Sequence, residues 1–187
     1  ELAVTHADLV PQGREIVAEA AAASGRQLIA AGELEQAEAA IDGIPADESA
    51  VAEIHEAIAE NRMETAVARD AYDEARTIAL ANDLDAAPVD RGESAHLLQM
   101  ATEARDEGKH RESLELIGQA ESLATLDRSG RRVKAWALYQ NRDFDDSADL
   151  FESLYREGKD RDSAEGLVNS LQQAGELDQL NQLSDEM

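Results

Sequence analysis

Residues 134–154 read KAWALYQNRDFDDSADLFESL, and residues 100–120 read MATEARDEGKHRESLELIGQA. Each stretch has a first run of small and apolar residues, a polar break and a second apolar run, and matching positions lie 34 residues apart. An internal period of this length indicates stacked helical hairpins, in which each hairpin buries its apolar side against the next. The matching pairs are Ala101 and Ala135, Ala104 and Leu138, Gly108 and Arg142, His110 and Phe144, Ser113 and Ser147, Ile117 and Phe151, and Ala120 and Leu154.

Three further copies extend the period in both directions. One lies 33 residues later, around Gly175, and two lie earlier, around Gly32 and Asp70, each 38 residues before the next copy. The copy around Asp70 has no glycine to mark a turn, so residues 46–90 are compatible with one long helix or with an irregular hairpin. We expect one helical-repeat domain over residues 1–187, with repeats at 14–44, 46–90, 93–126, 127–160 and 161–187.

Local periodicity and composition also predict helix. Apolar residues such as Leu97 and Ala104 recur at helical spacing on one side of each segment, with charged residues opposite. Aromatic residues make up only 3% of the chain, which argues against a sheet sandwich or a large aromatic core. Short polar breaks at residues 107–109, 141–143 and 174–176 force consecutive helices to run antiparallel. We therefore expect an all-α fold.

The arrangement resembles the tetratricopeptide repeat family, in which a small residue, a short polar turn and an apolar residue that opens the second helix recur in this order. The resemblance implies a solenoid of stacked antiparallel helix hairpins that acts as a non-catalytic scaffold for protein–protein interaction. In this family the first helices of the hairpins line a concave binding face. Carried over in the same register, the partner-binding positions are Arg105, Arg132, Trp136, Tyr139, Gln140, Asn169, Gln172 and Gln173, together with Thr102, Asp106 and Glu165.

Two groups among these residues have a second interpretation. Trp136 is the only tryptophan, and tryptophan and arginine supply much of the binding energy at interfaces. A single aromatic residue at helical spacing also suits packing between neighbouring helices. The amides between Asn169 and Gln182 either bind peptide backbone or sugar hydroxyls, or cap the polar end of the last repeat.

Residues that support catalysis or metal binding are scattered along the chain. Cysteine is absent, and the histidines at His6, His55, His96 and His110 form neither the helical pair of a zinc protease nor a cluster with carboxylates. The acidic run that starts at Asp143 lacks the glycine and distal glutamate of a calcium loop, so we expect Asp143 to cap a helix. No glycine-rich phosphate loop or Gly-x-Ser-x-Gly elbow occurs. The sequence predicts no enzyme, no cofactor and no metal site.

The charge of the chain limits its partners. Forty-one acidic and 17 basic residues give a formal net charge of −24, which repels phosphate backbones, so we expect no nucleic-acid partner. The acidic surface serves either solubility and adaptation to salt, or attraction of a basic partner. No apolar run is long enough to cross a bilayer, so we expect no membrane insertion in this segment. A start at Glu1 suggests a piece of a larger or processed protein.

A narrower likeness suggests a cellular setting. The stretch from Lys134 to Leu154, followed by Ser163 to Leu167, is similar to repeats in the periplasmic portion of bacterial exopolysaccharide-export proteins, including the cellulose-secretion subunit of the outer membrane. This likeness implies a periplasmic scaffold that joins polysaccharide synthesis and export subunits. The alternatives are a cytoplasmic adaptor that captures a peptide tail, and a module that binds polysaccharide directly.

We expect the melting temperature to rise when NaCl is added, because salt screens the repulsion among the excess carboxylates. Thermal unfolding followed by circular dichroism from about 10 mM to about 1 M NaCl covers Debye lengths from about 30 Å to about 3 Å. A melting temperature that stays flat or falls over this range contradicts the argument from charge.

Overall fold

The computed structural model describes residues 11–45 and 49–180, and every regular element within them is helical. No strand occurs in this part of the chain, so the predicted all-α fold is confirmed. Residues 177–180 begin a further helix at the end of the described chain. The preceding helices are α1 (Pro11–Ala30), α2 (Leu34–Ile41), α3 (Ser49–Ala68), α4 (Tyr72–Ala81), α5 (Ala87–Asp106), α6 (His110–Leu123), α7 (Arg128–Asn141), α8 (Phe144–Gly158) and α9 (Arg161–Ala174).

The helices belong to two compact units, residues 1–89 and 90–187, and the division falls within α5. In the first unit, α1 packs against α2 and α3, α2 packs against α3, and α3 packs against α4. In the second unit, α6 packs against α7, α7 packs against α8 and α9, and α8 packs against α9. Helices α1 and α7 therefore each contact both their hairpin partner and the first helix of the following hairpin. The single domain expected from the sequence stays a prediction.

The five turns within the hairpins share one backbone geometry. One residue in each turn has a left-handed conformation, with φ between 61° and 84°. The next residue donates its N–H to the carbonyl oxygen five positions earlier, at 2.9–3.0 Å, which is the outer hydrogen bond of a Schellman motif. The breaks predicted from the sequence at residues 107–109, 141–143 and 174–176 are confirmed as three of these turns. The left-handed residues are Gly32, Asp70, Gly108, Arg142 and Gly175.

Residues 49–81 form a hairpin and not one long helix, although no glycine marks the turn. Helix α3 ends at Ala68 and α4 begins at Tyr72. Asp70 occupies the left-handed position, which a short polar side chain tolerates better than most. Its carboxylate accepts a hydrogen bond of 2.7 Å from the Tyr72 hydroxyl. Aspartate thus takes the place of glycine, and the turn keeps the geometry of the other four.

Small side chains bring the helices of the second unit close together. Ala135 and Ala137 on α7 are both fully buried, one towards the cluster around Phe151 and the other towards the cluster around Ile117. Gly166 on α9 lies against the Phe151 ring, and a Cβ built at this position would overlap the ring. Close approach of backbones at such positions is what allows these helices to stack.

Buried serines add hydrogen bonds between the helices of the second unit. The Ser147 hydroxyl on α8 donates to the Ala135 carbonyl oxygen on α7 at 2.9 Å, and it lies 2.9 Å from Ser170 Oγ on α9. Both serines are fully buried. A buried hydroxyl is stabilising only when it is paired, so these contacts help to fix the packing of α7, α8 and α9.

The expectation that Asp143 caps a helix with its side chain is wrong. Asp143 does occupy the position before α8, but its side chain makes no capping hydrogen bond. The preceding left-handed turn sets its ψ angle to 66°, away from the extended conformation that aims a capping side chain at the helix. The capping bonds are made at Asp127, to the Gly130 N–H at 2.7 Å, and at Asp160, to the Ser163 N–H at 3.0 Å.

We expect the substitution Arg142→Gly to raise the free energy of unfolding by about 0.5–1 kcal/mol, because glycine adopts a left-handed backbone without steric cost. The matched control is Gly108→Ala, whose new Cβ meets no neighbouring atom and therefore reports backbone strain alone. We expect this control to lower the free energy of unfolding by about 1 kcal/mol. Urea unfolding measures both changes, and a destabilising Arg142→Gly contradicts the assignment of this turn.

We expect Gly166→Ala to destabilise the second unit by about 1–3 kcal/mol, because the added methyl group displaces the Phe151 ring in a packed core. Gly118→Ala is the control, since Gly118 lies within α6 with open space around its Cα. This control should stabilise by about 0.5–1 kcal/mol, through helix propensity. Equal effects of the two substitutions in urea unfolding would show that Gly166 is not a contact point.

Candidate binding surface on the second unit

The residues predicted to bind a partner lie on α5, α7 and α9, the first helices of three successive hairpins. On α7, Ala135 and Ala137 point into the two flanking clusters, and each residue of a helix turns about 100° from the last. Trp136 packs against the cluster around Phe151 and lies on the side of α7 that also carries Arg132 and Gln140. We call this side of α5, α7 and α9 the front face.

The repeat spacing arranges the front face in three rows across the helices. Helix α7 packs against α9, and Ala101 on α5 shares a cluster with Ala137 on α7, so the rows are defined by the repeat register of three neighbouring helices. The sequence carries these residues at intervals of 34 and 33 positions. The rows are Thr102, Trp136 and Asn169; Arg105, Tyr139 and Gln172; and Asp106, Gln140 and Gln173.

Aromatic rings form a continuous cluster that begins on the front face and ends in the core. Trp136 lies 4.8 Å from Phe151 and 5.8 Å from Tyr139, and Tyr139 lies 5.5 Å from Phe144, in each case edge to face. Such pairs contribute about 0.5–1.5 kcal/mol each beyond the burial of their area. Trp136 and Tyr139 are half-buried. Trp136 therefore packs between neighbouring helices and presents only part of its ring to a ligand.

The predicted arginines are engaged with carboxylates of the same surface. Arg132 on α7 lies 3.3 Å from Asp162 on α9, so this ion pair ties the two helices together. Arg105 donates to the neighbouring Asp106 at 2.9 and 3.1 Å, and its side chain is only 19% exposed. Neither guanidinium is presented as an isolated positive charge.

The amide side chains of the front face are presented without partners. Gln140, Gln172 and Gln173 are exposed, and Asn169 is half-buried. None of the four side chains makes a hydrogen bond with a residue in the part of the chain that the structure describes. Each amide offers both donors and an acceptor in one plane. The amides at Asn181 and Gln182 lie outside the described residues.

A network around Arg128 fixes the position of α9 beside α7. The Arg128 guanidinium donates to the Leu154 carbonyl oxygen at 2.9 Å and to the Asp160 carboxylate, which also caps α9. The hydrogen bond from Arg128 holds the pKa of Asp160 well below its usual range. A side chain at Gly158 would overlap the guanidinium, so glycine leaves room for it.

One turn further along α7, Arg131 forms two hydrogen bonds of 2.7 Å with Glu157. The sequence analysis identified neither Arg128 nor Arg131 as a link between helices. The available signal was the pattern Asp-x-x-Ser from Asp160 to Ser163, which is typical of a helix start. It predicts the cap, but it does not identify the arginine that reaches the same carboxylate from another helix.

Outside the front face, the described residues contain few groups arranged for metal binding or catalysis. No group of three or more His, Asp or Glu side chains within them is arranged to hold a metal ion. His96 and His110 are half-buried, and His55 is exposed beside a cavity of about 570 Å³ in the first unit. His6 lies outside the described residues. No helix in the same part of the chain is long and apolar enough to cross a membrane.

No protein-family model, curated protein or solved structure matches the chain. The front face itself is therefore the basis for a functional proposal. Its distinguishing feature is a set of exposed amides on helices whose relative position is fixed by ion pairs, buried serines and aromatic packing.

Proposed function

We propose that the protein is a non-catalytic scaffold of the tetratricopeptide type, and that its front face binds an extended segment of a partner protein. Two structural features support the repeat assignment. The same left-handed turn closes five hairpins, and α1 and α7 each pack against the first helix of the next hairpin. Such stacking gives repeat proteins extended binding surfaces on their first helices.

The observation that carries the proposal is a set of amides that have no hydrogen-bond partner among residues 11–45 and 49–180, at Gln140, Asn169, Gln172 and Gln173. An extended peptide presents one N–H and one C=O per residue, and primary amides pair with both at once. The amides lie on adjacent helices in matching rows, so one extended segment reaches several of them.

A polysaccharide ligand is the second candidate, because amides also bind sugar hydroxyls. Sugar sites commonly add an aromatic face on which the ring stacks. On this surface Trp136 contacts Phe151 and Tyr139 edge to face, which leaves less of the indole for stacking. The amide rows therefore favour a protein segment over a sugar chain.

The cellular setting is a separate part of the proposal. The likeness of residues 134–154 to exopolysaccharide-export repeats supports a periplasmic scaffold that holds synthesis and export subunits together. A cytoplasmic adaptor that binds a peptide tail uses the same front face. The two settings differ in the partner and not in the binding chemistry, so identification of the partner distinguishes them.

The test is a triple substitution of Gln140, Gln172 and Gln173 to alanine, compared with wild type in affinity capture from envelope and soluble fractions of native cells. Mass spectrometry identifies captured proteins, and carbohydrate analysis identifies captured sugar. We expect a specific partner to be retained by wild type and to bind the triple variant at least about tenfold more weakly, since each lost hydrogen bond contributes about 1 kcal/mol.

The control is a triple alanine substitution at Gln27, Gln36 and Gln119, which are exposed helical glutamines outside the front face. It matches the test variant in residue type and number, and neither triple changes the net charge. Trp136 is unsuitable for this purpose, because its removal opens the aromatic cluster and changes stability. Capture that is identical for both triple variants contradicts the proposed face, and captured sugar without protein supports the polysaccharide alternative.

A further inference from the structure

A groove lies on the side of α7 opposite the front face. Lys134 and Leu138 are each two residues from Trp136, which places them about 160–200° around the helix from it. Together with residues of α8 they line a cavity of about 390 Å³, a volume that accepts a large apolar side chain. The remaining lining residues are Asp146, Asp149, Leu150 and Ser153.

The floor of the groove is apolar, and two aspartate side chains lie at its edge. Leu138 and Leu150 are half-buried and form the floor. Lys134 is held by Glu121 through two hydrogen bonds of 2.8 Å, so its charge is already neutralised. Asp146 and Asp149 make no ion pair or hydrogen bond with side chains in the described ranges 11–45 and 49–180. The cation of the groove, Lys134, is thus paired with Glu121, and the two exposed carboxylates at the edge of the apolar floor have no cationic partner among the described residues.

We propose that this groove docks a short cationic segment of a partner protein. A leucine-sized side chain of the segment occupies the floor formed by Leu138 and Leu150. Flanking lysine or arginine side chains pair with Asp146 and Asp149. The site is separate from the front face, so it goes beyond the proposed function and does not depend on it.

Charge complementarity selects this occupant. A second copy of this chain carries a net charge of −24 and is repelled, and phosphate-bearing ligands are repelled for the same reason. A purely apolar segment would leave the two exposed carboxylates at the edge of the groove unpaired and would gain no electrostatic attraction from them. A segment that combines an apolar anchor with positive charge satisfies both parts of the groove. Docking on the back of α7 also leaves the front face open for another partner at the same time.

The probe is a synthetic peptide with the sequence Arg-Lys-Leu-Leu-Lys-Arg, acetylated and amidated at its ends, and titrated into the full chain at low salt. Its control is Arg-Lys-Ser-Ser-Lys-Arg, which has the same charge and no apolar anchor. NMR follows the methyl groups of Leu138 and Leu150, and the indole N–H of Trp136 reports on the front face. We expect saturable shifts of the leucine methyls with the first peptide, little change at Trp136, and at least about fivefold weaker binding of the second.

Two double variants test the role of the carboxylates. Asp146→Asn with Asp149→Asn removes the charges at the groove and should weaken binding of the leucine peptide about fivefold. Asp145→Asn with Asp178→Asn removes two exposed charges outside both the groove and the front face and should have little effect. The groove is rejected by equal weakening in both double variants, by equal binding of the two peptides, by shifts confined to Trp136, or by no saturable binding up to about 1 mM peptide.

Discussion

The left-handed residue that closes each hairpin is the constraint on which the rest of the structure depends. It reverses the chain within three residues and pairs the last free carbonyl groups of the first helix with the N–H groups that follow. The same closure recurs at Gly32, Asp70, Gly108, Arg142 and Gly175, so the second helix of each hairpin starts from the same local backbone geometry. A regular succession of hairpins follows from this local geometry.

Packing then converts regular hairpins into a defined surface. In the second unit, the Phe151 ring packs directly against the backbone of Gly166. The small side chain of Ala135 leaves room for α8 beside it, and the Arg128 network fixes the start of α9. These contacts hold α9 against α7, and the repeat period predicts that their outward positions form rows. The amides of the front face therefore gain their arrangement from residues that no ligand touches.

The sequence predicted the helical fold and the turns at residues 107–109, 141–143 and 174–176, because helical periodicity, glycine and the 34-residue repeat can all be read from the chain. It left residues 46–90 open, because Asp70 adopts the left-handed conformation with help from a Tyr72 hydroxyl that composition does not reveal. It placed a side-chain cap at Asp143, where the preceding turn sets the backbone and removes the cap. A residue type indicates what a side chain is able to do, and the neighbouring turn decides whether its geometry allows it.

The candidate site was also only partly predictable from the sequence. The repeat register predicts one binding face with Trp136, Gln140 and Gln173. It carries no information on the ring contacts of Trp136 or the ion pair of Arg132, since both depend on residues of other helices. The groove behind α7 was likewise not predicted. Its floor combines Leu138 and Leu150, which lie 12 positions apart and meet only when α7 packs on α8.

The most direct test of the repeat geometry is amide hydrogen exchange of the full chain measured by NMR. If the turns are closed as described, the backbone N–H groups of Lys109 and Asp143 are protected from exchange, because each donates to a carbonyl oxygen five residues earlier although its residue is exposed. Gly118→Ala should leave this protection unchanged. Exchange of both N–H groups at the rate of an unstructured chain would contradict the common turn, and with it the alignment of the front face.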